Sequence, residues 1–236
     1  MKKIAAFIFA RGGSKGLPGK NILPLDGKPL LAYSIDQAKS IKRINRIIVS
    51  TDSEEIAKVA LKFGAEILMR PPNICEDDSP EFLSWKHAVN YLNKESLVTN
   101  NAIISIPTTS PLRSSLDLEN CLDEFEKYKP DAVVTVTDAH RNPYFNMVEK
   151  KPNGEVSLVL DNKGGISRRQ DAPIMFDMTT VAYVLDVKFI MNHNHLFEGR
   201  IRSVYIPIER SIDIDIDLDF KIAELIIDSG KKNAVK

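Results

Sequence analysis

Ala10-Arg11-Gly12-Gly13-Ser14-Lys15-Gly16-Leu17-Pro18-Gly19-Lys20-Asn21 follows directly on the apolar run Ile4–Phe9, and the fold turns on this junction. A buried strand that opens into a glycine-rich, cationic loop is how α/β proteins hold phosphates. Glycines let the backbone approach an anion and point successive N–H groups at it. Arg11, Lys15 and Lys20 add full positive charges, which act most strongly where a bound ligand excludes water. A plain flexible connection is the competing reading. Four glycines and three cations in one short segment behind a strand weigh against it. The loop is not a Walker A motif: five residues separate Gly13 from Gly19, and Asn21 stands where a magnesium-binding hydroxyl belongs. No register supplies the Gly-x-Gly-x-x-Gly of a dinucleotide fold either.

The 236 residues suit one sizeable domain with an ample core. Lys plus Arg and Asp plus Glu both total 32, so no global charge argues for nucleic acid or an anionic membrane as partner. The charge is segregated all the same. Ten Lys or Arg fall between Met1 and Arg46 against two acids, Asp26 and Asp36, whereas Asp213, Asp215, Asp217 and Asp219 crowd the C-terminal region. A basic end for phosphate and an acidic end for metal would meet on a metal–nucleotide complex. No run reaches the roughly 18 apolar residues of a membrane span. The N-terminal apolar run stops at Arg11 with no small-residue cleavage site and reads as a strand rather than a signal peptide. Two isolated cysteines, Cys75 and Cys121, imply no disulfide framework and fit a reduced cytoplasm.

Outward from the loop, apolar runs alternate with amphipathic segments, the pattern of a mostly parallel sheet flanked by helices. Strands are expected at 3–9, 46–51, 65–69, 101–106 and 132–137, with helices at 29–41, 53–63, 80–93 and 115–128. Ser53 and Ser114 or Ser115 are placed to cap the helices they precede, and Gly64 to stop one. Between 138 and 176 the rhythm breaks into short alternating pieces among Asn142-Pro143, Pro152-Asn153-Gly154 and Gly164-Gly165, which read as a β-rich insertion. The main α/β domain is then 1–137 plus 177–236. Its second part carries strands at 176–185 and 202–207 and helices at 187–192 and 217–229, the last with an apolar stripe of Leu218, Ile222, Leu225 and Ile226.

Several constellations carry chemistry. Ser211-Ile212-Asp213-Ile214-Asp215 alternates strictly, so in a strand Asp213 and Asp215 share a face. Two close carboxylates suit Mg²⁺, which takes one or two of them with phosphates and water; a solvated edge strand is the alternative. Asp217 and Asp219 suit the start of the following helix. Arg70 is stiffened by Pro71 and Pro72 and is either a ligand contact or a partner for a nearby acid. Asp52, at a strand end, either caps a helix or has a role in the site. Thr108-Thr109-Ser110-Pro111-Leu112-Arg113 ends a strand at the carboxyl edge, where open α/β sheets bind ligands. Arg169 has the planar fork that clamps a carboxylate. His193 and His195 have no further Cys or His at zinc spacing nearby.

These motifs, in this order, resemble the acylneuraminate cytidylyltransferases, the CMP-sialic acid synthetase family. That family carries Ala-Arg-x-x-Ser-Lys-Gly and then Lys-Asn after its first strand, a base-side arginine followed by proline, a Pro-Thr-Ser-Pro-Leu-Arg string, an Arg-Gln pair matched by Arg169-Gln170, and Ser-Ile-Asp-Ile-Asp. The resemblance implies a glycosyltransferase-A-like fold whose β-rich projection assembles a homodimer and helps shape the partner's sugar site. It implies transfer of CMP from CTP to a nonulosonic acid, with pyrophosphate released. By the same resemblance Arg11 and Lys20 are catalytic. Ala10, Arg11, Gly12, Gly13, Ser14, Lys15, Lys20, Asn21 and Arg70 bind the nucleotide. Thr109, Ser110, Arg169, Gln170, Asp177, Tyr183 and Phe197 bind the sugar acid, although Tyr183 reads equally well as a core strand tyrosine. Asp213 and Asp215 hold Mg²⁺.

The sequence departs from the sialate-specific pattern at two places. Pro107 replaces a glutamine that helps contact the sugar acid, and Asp177 and Thr179 replace an arginine and an asparagine. Arg141-Asn142-Pro143-Tyr144-Phe145-Asn146 and Asp177-Met178 look most like the legionaminic acid cytidylyltransferases, which activate a related nine-carbon acid for bacterial surface glycans. A CMP-N-acetylneuraminate synthetase is the nearest alternative. A sugar-1-phosphate nucleotidyltransferase lacks its usual Gly-x-Gly-x-Arg here, and a non-catalytic nucleotide-binding protein has little reason to keep both the cationic loop and the paired aspartates.

Overall fold

A computed structural model describes residues 4–13, 16–75, 79–94, 101–161, 165–166 and 168–234, the last four by backbone only. The strands are β1 (Ile4–Phe9), β2 (Pro24–Leu25), β3 (Lys28–Pro29), β4 (Ile44–Thr51), β5 (Glu66–Met69), β6 (Ala102–Ser105), β7 (Ala132–Asp138), β8 (Val148–Lys150), β9 (Val156–Leu158), β10 (Phe176–Asp186) and β11 (Ile201–Tyr205). The helices are α1 (Leu30–Ser40), α2 (Glu54–Lys62), α3 (Glu81–Lys94), α4 (Ser115–Tyr128), α5 (Val187–Asn192) and α6 (Asp217–Ala234).

Seven strands form the central sheet in the order β11-β7-β10-β6-β1-β4-β5. All run parallel except β10, which is antiparallel to both its neighbours. The carboxyl ends of β1, β4, β5 and β6 therefore open onto one edge. The loops bearing Arg11, Asp52, Arg70 and Thr108-Thr109 start there.

Alternation along the strands explains the layers. In β1, Ala6 and Ile8 face a core with Leu31, Ile35 and Ala38 of α1, Ile56 and Ala60 of α2, and Leu118 and Leu122 of α4. Phe7 faces the opposite core with Phe82, Trp85 and Val89 of α3 and Phe189 and Ile190 of α5. β6 is buried throughout and β1 and β7 over most of their length, as expected for a sheet covered on both sides, whereas the edge strand β11 has no buried residue. Each large apolar side chain so buried contributes about 1.5–3 kcal/mol. Ser53 accepts from the Ile56 N–H at 3.3 Å to cap α2, and Ser114 and Asp117 form a reciprocal capping box on α4. Gly64, at φ 70°, ends α2 in the left-handed region.

Two expectations need correcting. Ser211–Asp215 belongs to no strand. Its Ile214 N–H donates to the Thr109 carbonyl at 2.8 Å, and its Ser211 N–H to the Ile208 carbonyl at 3.2 Å. In α6 the inward side is Phe220, Ala223 and Ile227, which pack with Ile214, Leu25 and Leu30, while Leu218 and Leu225 are exposed.

Between Ala139 and Met175 the regular strands among the described residues are β8 and β9, a separate antiparallel pair. Asn142 anchors the start of this segment. Its carboxamide donates to the Pro173 carbonyl at 2.8 Å and accepts from the Tyr144 N–H at 2.9 Å.

Candidate active site

A cleft of about 460 Å³ lies at the carboxyl edge of the sheet. Arg11, Gly16, Lys20 and Asn21 line it from the loop after β1, Arg70, Ile74 and Cys75 from the loop after β5, and Glu81 and Ser84 from α3. Pro107, Thr108, Thr109, Asp215 and Ile216 close it. Residues from both ends of the chain thus meet here.

Lys20 makes that junction. Its ammonium, 14% exposed, donates to Asp215 Oδ1 at 2.8 Å and to the Ile214 carbonyl at 3.0 Å. Gly16 allows the approach, because a Cβ there would stand 2.5 Å from the Asp215 carbonyl oxygen. Asp219 fixes the same backbone from below by accepting from the N–H groups of Asp215 and Ile216 at 3.0 and 2.9 Å. Asp217 instead pairs with Lys221 at 2.5 Å.

Asp213 and Asp215 flank buried Ile214 but sit in unlike surroundings. Asp215 is open to the cleft. Desolvation pushes the Asp213 carboxyl above its ordinary value, the charge of Asp215 adds to this, and the hydroxyls of Thr109 and Thr180 hold it back. Asp213 Oδ1 is buried with no hydrogen-bond partner. A buried, unsatisfied carboxylate oxygen beside a second carboxylate has the hard-oxygen character that Mg²⁺ takes. Among the described residues no group of three or more His, Cys, Asp or Glu side chains is gathered for a metal. Two protein carboxylates, nucleotide oxygens and water would have to complete the shell.

Other residues expected in the nucleotide site support the loop. Ala10 is buried and its N–H donates to the Ser50 carbonyl at 3.0 Å. The Gly12 N–H donates to Asp52 Oδ1 at 2.8 Å, so that amide is already engaged and Asp52 braces the loop rather than capping α2. Gly13 is exposed and does not line the cleft. Asn21 lines the cleft, yet its carboxamide donates to the Arg11 carbonyl at 2.9 Å and accepts from the Thr108 hydroxyl. Ser14 and Lys15 lie outside the described residues.

Arg70 is held without a carboxylate hydrogen bond. It donates to the Ser84 hydroxyl at 3.1 Å and the Ser50 carbonyl at 2.8 Å, and its guanidinium lies 5.9 Å from the Phe9 ring. Burial pulls its pKa down, offset by the charges of Cys75, Asp52 and Glu81. Of the two readings left open for Arg70, no acid partner hydrogen-bonds it among the described residues, and its guanidinium stays in the cleft lining beside Phe9. Arg113, unassigned from sequence, is a buried tie: it donates to Ser34, Gln37 and the Pro107 carbonyl, locking the loop after β6 onto α1.

The expected sugar-acid residues are not brought together within one chain. Thr109 is in the cleft. Ser110 is fully buried with its hydroxyl 2.8 Å from that of Thr180. Tyr183 is 6% exposed and packs against Trp85, a core position, because β10 turns that side chain under α3. Arg169 and Gln170 line a separate hollow with Arg141 and Pro173, where Arg169 donates to the Ala139 carbonyl at 2.9 Å. Asp177 accepts from the His140 N–H at 3.3 Å. Phe197, 75% exposed, lies in a third groove with Phe176 and Met178.

Comparison with solved structures finds the same architecture. A CMP:2-keto-3-deoxy-manno-octonic acid synthetase complexed with CTP matches at TM-score 0.71, with 16% identity over 97% of this chain and 99% of that one. The 4-diphosphocytidyl-2C-methyl-D-erythritol synthase of Anaerococcus prevotii matches at TM-score 0.66, with 14% identity over 97% and 100%. Among curated proteins, "Post-translational flagellin modification protein B" of Campylobacter coli is 35% identical, covering 96% of both chains. "CMP-N,N'-diacetyllegionaminic acid synthase" of Campylobacter jejuni is 34% identical with the same coverage. "N-acylneuraminate cytidylyltransferase" of Escherichia coli O18:K1:H7 is 31% identical over 99% of this chain and 54% of that one. The family model described as "Cytidylyltransferase" matches residues 5–234, which take in every wall of the cleft, and the chain belongs to that family of nucleotidyl-transferring enzymes.

Proposed function

We propose that this enzyme transfers CMP from CTP to a nonulosonic acid of the legionaminic type, releasing pyrophosphate. The observation that carries the reading is the junction of Lys20 with Asp215 across the cleft, in a member of the cytidylyltransferase family. It sets a cation for phosphate beside a carboxylate pair suited to a metal. The legionaminic preference is supported by Pro107 and Asp177, where sialate enzymes place a glutamine and an arginine, and by the similarity to the Campylobacter jejuni synthase.

In this mechanism the anomeric hydroxyl of the acid gives up its proton to solvent and attacks the α-phosphorus as the bond to the β-phosphate oxygen breaks and pyrophosphate leaves. Arg11 and Lys20 hold the polyphosphate and neutralise charge that grows on the leaving pyrophosphate. Lys20 must exchange at least part of its contact with Asp215 for phosphate oxygen. Asp213 and Asp215 would hold a Mg²⁺ ion, which when bound supplies Lewis-acid polarisation of the phosphate. Arg70, beside Phe9, forms the base side. The exposed apolar surface of Ile174, Phe176, Met178 and Phe197 suits a homodimer contact, and consumption of CTP suits the cytoplasm. No described helix is long and apolar enough to cross a membrane.

The test is pyrophosphate release with each NTP in turn, against a panel of N,N'-diacetyllegionaminate, N-acetylneuraminate and sugar phosphates. The expected result is turnover only with CTP and a nonulosonic acid, with a higher kcat/KM for the diamino acid. A ratio favouring N-acetylneuraminate would leave the transferase standing and overturn the substrate. Turnover with sugar phosphates alone would overturn both.

A further inference from the structure

Contacts sort the cleft lining into two groups. Lys20 pairs with Asp215. Arg70 meets Ser84 and Phe9, and its charge reaches one further carboxylate of the lining, Glu81. Among the described cleft residues Glu81 and Asp215 are the only acids, and Asp215 is already held by Lys20. Glu81 is the first residue of α3; it is exposed and lines the cleft.

A carboxylate here cannot serve a polyphosphate, since like charges repel. Among the described residues Arg70 does not tie it up, donating instead to the Ser84 hydroxyl and the Ser50 carbonyl. Its neighbours in the lining, Phe9 and the Arg70 guanidinium, suit a hydrogen-bond donor on a flat, uncharged ring. Cytosine presents such a donor in its exocyclic amine, and uracil presents an acceptor at the same position.

Resting on the cytidylyltransferase reading above, we infer that Glu81 reads the base: its carboxylate accepts from the cytosine amine and rejects uracil. With uracil the carboxylate would face a carbonyl oxygen, leaving two acceptors opposed and neither satisfied. Desolvation pushes the Glu81 carboxyl above its ordinary value, against the pull of Trp85 and the Arg70 charge. Arg70 is then the wall and Glu81 the discriminator.

The experiment compares CTP, UTP and the triphosphate of pyrimidin-2-one riboside, which lacks the amine, in the wild type and in E81Q and E81A, by pyrophosphate release and by competition against CTP. In the wild type, loss of the amine should weaken the nucleotide by at least about tenfold. E81Q, whose amide can donate to uracil O4, should lower the CTP/UTP ratio of kcat/KM by at least about tenfold. In E81A the amine-free analogue and CTP should become nearly equal. A variant that merely loses its helix terminus would weaken all three nucleotides alike. Equal use of CTP and the amine-free analogue by the wild type overturns the inference even if neither variant folds. So does an unchanged CTP/UTP ratio in E81Q. In both cases wild-type turnover of CTP leaves the transferase reading intact, whereas a wild type inactive with CTP and every acid sinks the two together.

Discussion

Asp52 shows how a single carboxylate can shape a phosphate loop without touching phosphate. The Gly12 N–H that sequence reasoning aims at the nucleotide donates to Asp52 Oδ1 at 2.8 Å, across 40 residues of chain. The loop is therefore held from behind by the end of β4, which frees Arg11 and Lys20 to act from a fixed base. A net hydrogen bond of this kind is worth about 1 kcal/mol, because water replaces part of it once it is gone. Asp52→Ala should raise the KM for CTP by roughly fivefold with kcat little changed, whereas Asp52→Asn, which keeps an acceptor oxygen, should recover most of the loss. Steady-state kinetics at saturating acid substrate decides it. Equal KM in all three proteins would mean the loop stands without Asp52.

At the scale of elements, α4 is the strut for the acidic segment. Asp117 accepts from the Ser114 backbone and side chain and takes both arms of Arg210 at 3.0 Å, just before Ser211–Asp215. Burial pushes the Asp117 carboxyl up, but the hydrogen bonds from Arg210 and Ser114 outweigh it and hold it below its ordinary 3.8. A depressed carboxyl stabilises the fold above that ordinary value, and the contribution is lost as pH falls through the folded-state value. Asp117→Asn should lower Tm at neutral pH, with capping and the pair of buried Asp117 with part-exposed Arg210 together costing about 2 kcal/mol. The difference from wild type should shrink below about pH 4. A gap that stayed constant down to pH 2 would remove the charge from the account. The same element was plain from sequence, because a serine cap at 114 or 115 and an amphipathic run are local signals. So were the flanking strands, each an apolar run bounded by polar turns. The Ser211–Asp215 segment misled because alternation records which side chains share a side and says nothing of whether a neighbouring strand exists. Asn21–Thr108 and Gly12–Asp52 were invisible for another reason: they join residues 87 and 40 apart, and no local pattern marks them.

The whole molecule poses the question that one chain leaves open. The cleft holds Lys20, Arg70 and Thr109, while Arg169 and Gln170 line their own hollow in the segment after β7. If both sets serve one reaction, the simplest arrangement is a homodimer in which the projecting segment of one copy closes the cleft of the other. The exposed Ile174 and Phe197, at 81% and 75%, are the side chains such a contact would cover. Complementation separates this from a site completed within one chain. Lys20→Ala should lose at least about tenfold in turnover through its phosphate contact, and Arg169→Ala should be impaired in the acid substrate. Each homodimer is then defective at both of its sites. Co-expressed with different tags and purified through both, the mixed dimer carries one site with native Lys20 and native Arg169 only if Arg169 acts across the interface. Recovery of activity in the doubly tagged fraction, absent from either parent, is the expected outcome. A doubly tagged fraction with no recovery would place Arg169 on its own chain's cleft or outside the reaction. Failure to isolate any doubly tagged species would remove the homodimer itself.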